Sequence, residues 1–163
     1  MRRLGLLPVL AVLAVIAVLA AGCGGSASPK DDPGAFASKV VGLIVHNKYS
    51  AVWEDLHPID QGVAPFAEYV GCETRNPVIA VPRSVKVMSV NDESVGIGNG
   101  KFLDSKAVDV RLGFAGGFKV THTVHVVADH GKWKWIIPSW RFRDYKADRC
   151  PTDPGSSPPP TQS

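Results

Sequence analysis

Apolar residues in the first third of the chain recur at helical spacing. Phe36, Val40, Val41, Leu43, Ile44 and Val45 form one stripe across residues 34–48, and Asp31 or Asp32 followed by Pro33 supplies the start. Residues 50–56 predict a short second helix capped by Ser50, with Val52, Trp53 and Leu56 inward and Pro58 as its stop. Residues 60–70 predict a third, which puts Val63, Phe66, Ala67 and Val70 on one side and Pro65 at its centre. From Ser84 the period drops to two. Val85 and Val87, then Val108, Val110, Leu112 and Phe114, then Phe118, Val120, Val124 and Val126 each share one face of a strand. Asp129-His130-Gly131 reads as a hairpin turn leading into Trp133, Trp135 and Ile137. Beyond Pro138 the phase slips to Trp140 and Phe142, and one bulged residue accounts for the slip. Helices first and a meander afterwards predict an α+β fold, with N-terminal helices packed on a strongly curved antiparallel sheet.

The two ends follow other rules. Met1-Arg2-Arg3 precedes an uncharged run over residues 4–21 that ends in Leu19-Ala20-Ala21-Gly22-Cys23. A basic start, an apolar stretch and small residues at the end are the parts of a secretory signal. Cysteine directly after Ala-Ala-Gly resembles the bacterial lipobox, although Ala20 stands where leucine is commonest. That resemblance implies cleavage before Cys23 and lipidation of its thiol, with palmitate as a representative acyl chain. The rival is an uncleaved anchor, since the run is just long enough to span a bilayer. Both readings place the protein outside the cytoplasm, on the cell membrane. Residues 1–22 are thus expected to be a signal peptide, 23–33 a flexible linker, 34–150 the folded domain and 151–163 a disordered Pro-rich tail.

Composition narrows the rest. A hydrophobic content of 45% over 163 residues excludes a disordered or collagen-like chain. The net charge of +3 belongs mainly to the signal: beyond residue 22 there are 16 basic and 15 acidic side chains. Nucleic acid is therefore not an expected partner. With Cys23 assigned to lipid, Cys72 and Cys150 are an even pair in an oxidising compartment, and a disulfide is expected. A metal site or a nucleophilic thiol is the weaker reading, because neither Cys-x-x-Cys nor His-x-Cys is present. No cofactor motif occurs.

Particular segments resemble a known family. Tyr49-Ser50-Ala51-Val52-Trp53-Glu54-Asp55-Leu56-His57-Pro58 is similar to a helix and "Leu-His-Pro" segment of small secreted lipoproteins from high-GC Gram-positive bacteria. Asp129-His130-Gly131-Lys132-Trp133-Lys134-Trp135 is similar to their final hairpin. These proteins have the nuclear transport factor 2-like cone, shared with ketosteroid isomerases and polyketide cyclases. The resemblance spans about residues 34–145 and implies a fold and an address; most such lipoproteins have no assigned activity.

In a cone of this kind the concave face lines a pocket. His122 falls on the apolar face between Val120 and Val124, and with Trp53, Tyr69, Phe114 and Trp135 it makes up the candidate pocket. His122 is read either as a buried histidine bonded to a carbonyl or tyrosine, or as a ligand contact or general base. His122 and His125, three apart on a strand, do not share a metal ion. An isomerase needs a carboxylate base and an oxyanion donor facing the pocket. Asp109 and Asp129 fall on the polar face or in a turn, and Asp55, Asp60 and Glu68 are expected on solvent-facing helix sides. No catalytic residue is assigned. Lys119, Lys132 and Lys134, with Lys86 and Arg111 near them, form a basic sheet face suited to anionic lipid heads, envelope polymers or solvent alone. The expected role is non-catalytic binding of a small apolar ligand or an envelope protein. The alternatives are an isomerase or cyclase with His122 as base, and a structural accessory domain; the sheet face offers a homodimer surface.

Overall fold

The computed structural model describes residues 29–98 and 100–152. The expected signal peptide, Cys23, most of the expected linker and residues 153–163 of the expected tail lie outside these described residues.

Five helices and four strands follow the order α1 (Pro33–Val45), α2 (Tyr49–Glu54), α3 (Pro58–Val63), α4 (Phe66–Arg75), β1 (Ser84–Gly96), β2 (Phe102–Gly113), β3 (Lys119–Asp129), β4 (Lys132–Ile136) and α5 (Ser139–Lys146). The strands pair as an antiparallel sheet in the order β1-β2-β3-β4, so the domain is α+β. α1 starts where Asp32 accepts the Ala35 N–H at 2.7 Å and Pro33 occupies a position that needs no N–H. It ends as Asn47 takes a left-handed φ of 57° and the Lys48 N–H reaches the Leu43 carbonyl. Its apolar stripe, Ala37, Val40, Val41 and Val45, is buried with Val108, Val110 and Leu112 of β2 and Val126 of β3. The β3–β4 turn has positive φ at both His130 (47°) and Gly131 (75°), the two-residue geometry that matches strand twist.

Several expected boundaries move, most of them because of a proline. Residues 60–70 are not one helix. Pro65 lacks an N–H and keeps Ala64 out of helical geometry, so α3 stops at Val63 and α4 restarts at Phe66. The buried side of α4 is Tyr69, Cys72 and Glu73, while Phe66 and Ala67 are exposed. Pro58 does not stop α2 but opens α3, where His57 Nδ1 accepts the Ile59 N–H. α2 is capped by Lys48 without a side-chain bond, and Ser50 lies inside it. Between the two helices Leu56 bridges to Trp135, with His57 N–H donating to the Trp135 carbonyl at 2.9 Å.

The largest correction lies beyond Pro138. Trp140 and Phe142 belong to a helix, not to a bulged strand. Pro138 ends the sheet ladder because it cannot donate to it, and Phe142 and Tyr145, three apart, become the buried stripe of α5. The one bulge in the β1–β2 ladder lies between Val87 and Ser89. Cys72 and Cys150 do form a disulfide, which ties α4 to the chain just after α5. α5 also closes over the β1–β2 connection: a side chain at Gly98, where φ is +82°, would meet Phe142 Cε1 at 2.6 Å.

Candidate functional site

A cavity of about 1160 Å³ opens between the helices and the sheet. Val40, Val41, Ile44 and Val45 of α1 form one wall, and Leu112, Phe114, Val124 and Trp135 form the facing one. Tyr69 and Glu73 of α4, residues 76–80, residues 93–96 of β1, residues 122–125 of β3 and residues 136–141 complete it. Its volume is somewhat above the roughly 300–1,000 Å³ of small-ligand sites, which are mostly apolar with a few placed polar groups.

Of the five residues expected at a pocket, Tyr69, Phe114, His122 and Trp135 line this cavity. Trp53 does not. α2 turns Tyr49 and Val52 inward, which sends the neighbouring indole toward α3 and α4. There Trp53 Nε1 donates to the Ala64 carbonyl at 2.8 Å and its ring meets Phe66 edge-on at 5.3 Å. Trp135 is fixed by donation from Nε1 to the Val52 carbonyl at 3.0 Å.

His122 shares the face of its cross-strand neighbour Val110, but it is exposed at the cavity and makes no hydrogen bond to another described residue. The expectation of a buried, satisfied histidine is therefore corrected: α1 covers Val110, and the helical layer does not extend over His122. His125 also borders the cavity, with Nδ1 3.2 Å from Ser105 Oγ. Among the described residues no group of three or more His, Cys, Asp or Glu side chains could hold a metal ion.

The polar corner of the cavity escaped the sequence reading. Glu73 is buried, and its Oε1 accepts both the Tyr145 hydroxyl at 2.6 Å and the Arg141 guanidinium. Tyr69 lies against Tyr145 with ring centroids 5.9 Å apart. Burial drives both phenols well above their usual range, with Arg141 opposing the shift, so both remain protonated donors. Arg141 Nε is buried without a partner. These groups come from α4 and α5, 68 to 72 residues apart. Reading residues 139–146 as a helix would have put Arg141 and Tyr145, four apart, on one side.

Asp60 was expected to face solvent and is instead fully buried. Its Oδ2 accepts the Ile137 N–H at 3.0 Å, Oδ1 has no partner, and burial raises its pKa to about 7. It does not line the cavity, so this tuned carboxyl has no access to a bound molecule. Two carboxylates line the cavity: Glu73, committed to Arg141 and Tyr145, and Glu93 of β1. The chemistry on offer is thus apolar burial with a neutralised, hydrogen-bonding corner at Glu73 and further polar groups, His122, His125 and Glu93, along the β1 and β3 side.

No family model matches the chain, and no curated protein matches it. No helix among the described residues is long and apolar enough to cross a membrane.

Proposed function

We propose that this protein is an extracytoplasmic lipoprotein, held to the cell membrane through Cys23, whose nuclear transport factor 2-like domain binds a small, largely apolar ligand without turning it over. The observation that carries the reading is the cavity, whose walls are mostly aliphatic and aromatic and whose polar groups include the bonded set Glu73, Arg141 and Tyr69. Helices preceding four antiparallel strands, with a cavity between the layers, is the arrangement that the cone resemblance implies. Packing at these walls gives affinity to an apolar body, and the corner orients one polar end.

Two experiments test it. Cells grown with labelled palmitate should incorporate label into the wild-type chain and none into Cys23→Ser; an unlabelled wild type, or a labelled variant, removes the lipid anchor. Organic extracts of purified full chain should contain a small apolar molecule in near-stoichiometric amount. Replacing the half-buried wall residues Ile44 and Val124 with tryptophan should lower its recovery at least about fivefold while the urea unfolding midpoint is kept. Extracts without any such molecule, or recovery unchanged by both indoles, would defeat the binding reading.

A further inference from the structure

Charge is sorted along the sheet. Three connections meet at one end: the turn after α1, the loop from α4 to β1, and the β2–β3 turn. The Arg83 N–H donates to the Gly113 carbonyl at 2.7 Å, and Gly113 pairs with both Ser84 and Lys119. Asn47 holds the loop by accepting the Val78 N–H at 2.8 Å and donating to the Val78 carbonyl at 3.1 Å. Lys48, Arg83, Lys86 and Lys119 are exposed at this end, and none is ion-paired with a described residue. No acid occurs in residues 33–53, 76–91 or 110–128, which build it. The opposite end holds Asp31, Asp92, Glu93, Asp104 and Asp129, and there Trp133 Nε1 donates to the Asp31 carbonyl. Lys132 and Lys134 fall toward that far end, with Lys134 Nζ on the Glu54 carbonyl, so they do not extend the basic surface.

The same acid-free end exposes large apolar side chains. Ile79 is 93% exposed, Val81 53% and Phe118 65%. Folding leaves them in water although residues 77–82, Pro-Val-Ile-Ala-Val-Pro, contain no polar side chain. Ile79 and Phe114, the ring beside Phe118, also line the cavity, so the patch rims its mouth.

We infer that this end docks on an anionic lipid bilayer, with Ile79, Val81 and Phe118 inserted among the headgroups and Lys48, Arg83 and Lys119 contacting lipid phosphates. Apolar side chains ringed by unpaired cations match the two layers of such a surface, acyl boundary and negative headgroup. A protein partner would need carboxylates around an apolar socket; a bilayer supplies both features without a shaped site. Docking places the cavity mouth against lipid, but the inference stands whether or not the cavity is filled.

Because an apolar segment over residues 4–21, or a lipid on Cys23, would attach the chain to vesicles in any case, location has to be measured. Hydrogen exchange of the full chain is compared in phosphatidylcholine vesicles and in vesicles containing a third phosphatidylglycerol. The anionic vesicles should slow exchange in peptides spanning 76–84 and 113–120 by about tenfold, with the effect lost in 0.5 M salt. Reversal to glutamate at Lys48, Arg83 and Lys119, and separately Val81→Ser with Phe118→Ser, should abolish it; all five are exposed positions outside the cavity lining. Equal exchange in both vesicles, or protection at residues 92–104 and 129–133 instead, overturns the docking surface. Recovery of the apolar molecule in extracts is read on the same variants. It reports on the cavity alone, so failure of docking and failure of ligand binding remain separate results.

Discussion

Replacing Cys72 and Cys150 with serine is expected to lower the unfolding free energy by about 4 kcal/mol. The bridge closes a sequence separation of 78 residues. The chain-entropy relation gives roughly 4–5 kcal/mol for a loop of that length, by restricting the unfolded chain. That is a large share of the roughly 5–15 kcal/mol that holds a domain folded. The loss should also be local. Cys72 precedes Glu73 on α4, and Cys150 follows α5, so the bridge and the Glu73 bonds to Arg141 and Tyr145 hold the same two helices together. Urea titrations followed by tryptophan fluorescence should show the same fall for the reduced wild type as for the double serine variant. A fall below about 1 kcal/mol in both would mean that the Glu73 network and α5 packing suffice without the covalent link.

How much of this was legible depends on the range of the information. α1 could be read because its stripe, its Asp32 cap and Pro33 all lie within a few residues and agree. The β3–β4 hairpin could be read because Asp129-His130-Gly131 admits few backbones. Strand parity placed Phe114, His122 and Trp135 on the cavity side. Parity says nothing about coverage, however, and His122 stands open because the helical layer stops short of it. Pro58, Pro65 and Pro138 were read as stops or distortions; each in fact opens a helix, at its first residue or its cap. The error at Pro138 removed α5, and with it the Glu73, Arg141 and Tyr145 corner. Trp53 misled for a different reason: in a six-residue helix one position decides between the sheet and the neighbouring helices. Asp60 was invisible because its partner, the Ile137 N–H, lies 77 residues away.

That buried carboxyl sets the second large effect. The folded pKa of Asp60 is about 7 against an ordinary 3.8, so between these values the folded state holds a proton that the unfolded chain has lost. Stability from this group is therefore full below about pH 4, declines as pH rises, and levels off above about pH 7. A shift of about three units corresponds to roughly 4 kcal/mol across that window. His57, at the cap of the same helix, works in the opposite sense. Burial lowers its pKa, with the Asp129 carboxylate opposing and Lys134 adding to the shift. The unfolded imidazole therefore takes up protons first, and stability falls as pH drops below 6.5. Both groups are best accommodated neutral, which places the optimum of the pair on the acid side of 7. Asp60→Asn keeps an acceptor for the Ile137 N–H and removes the titration. Relative to wild type, the variant should gain about 4 kcal/mol between pH 4 and pH 8 in urea unfolding, whatever constant cost the buried amide adds. Parallel curves for the two proteins would show that Asp60 ionises normally and that solvent reaches it. A converging pair would show that ionising one carboxyl loosens the contact between α3 and the turn into α5, the element that brings Arg141 to the cavity.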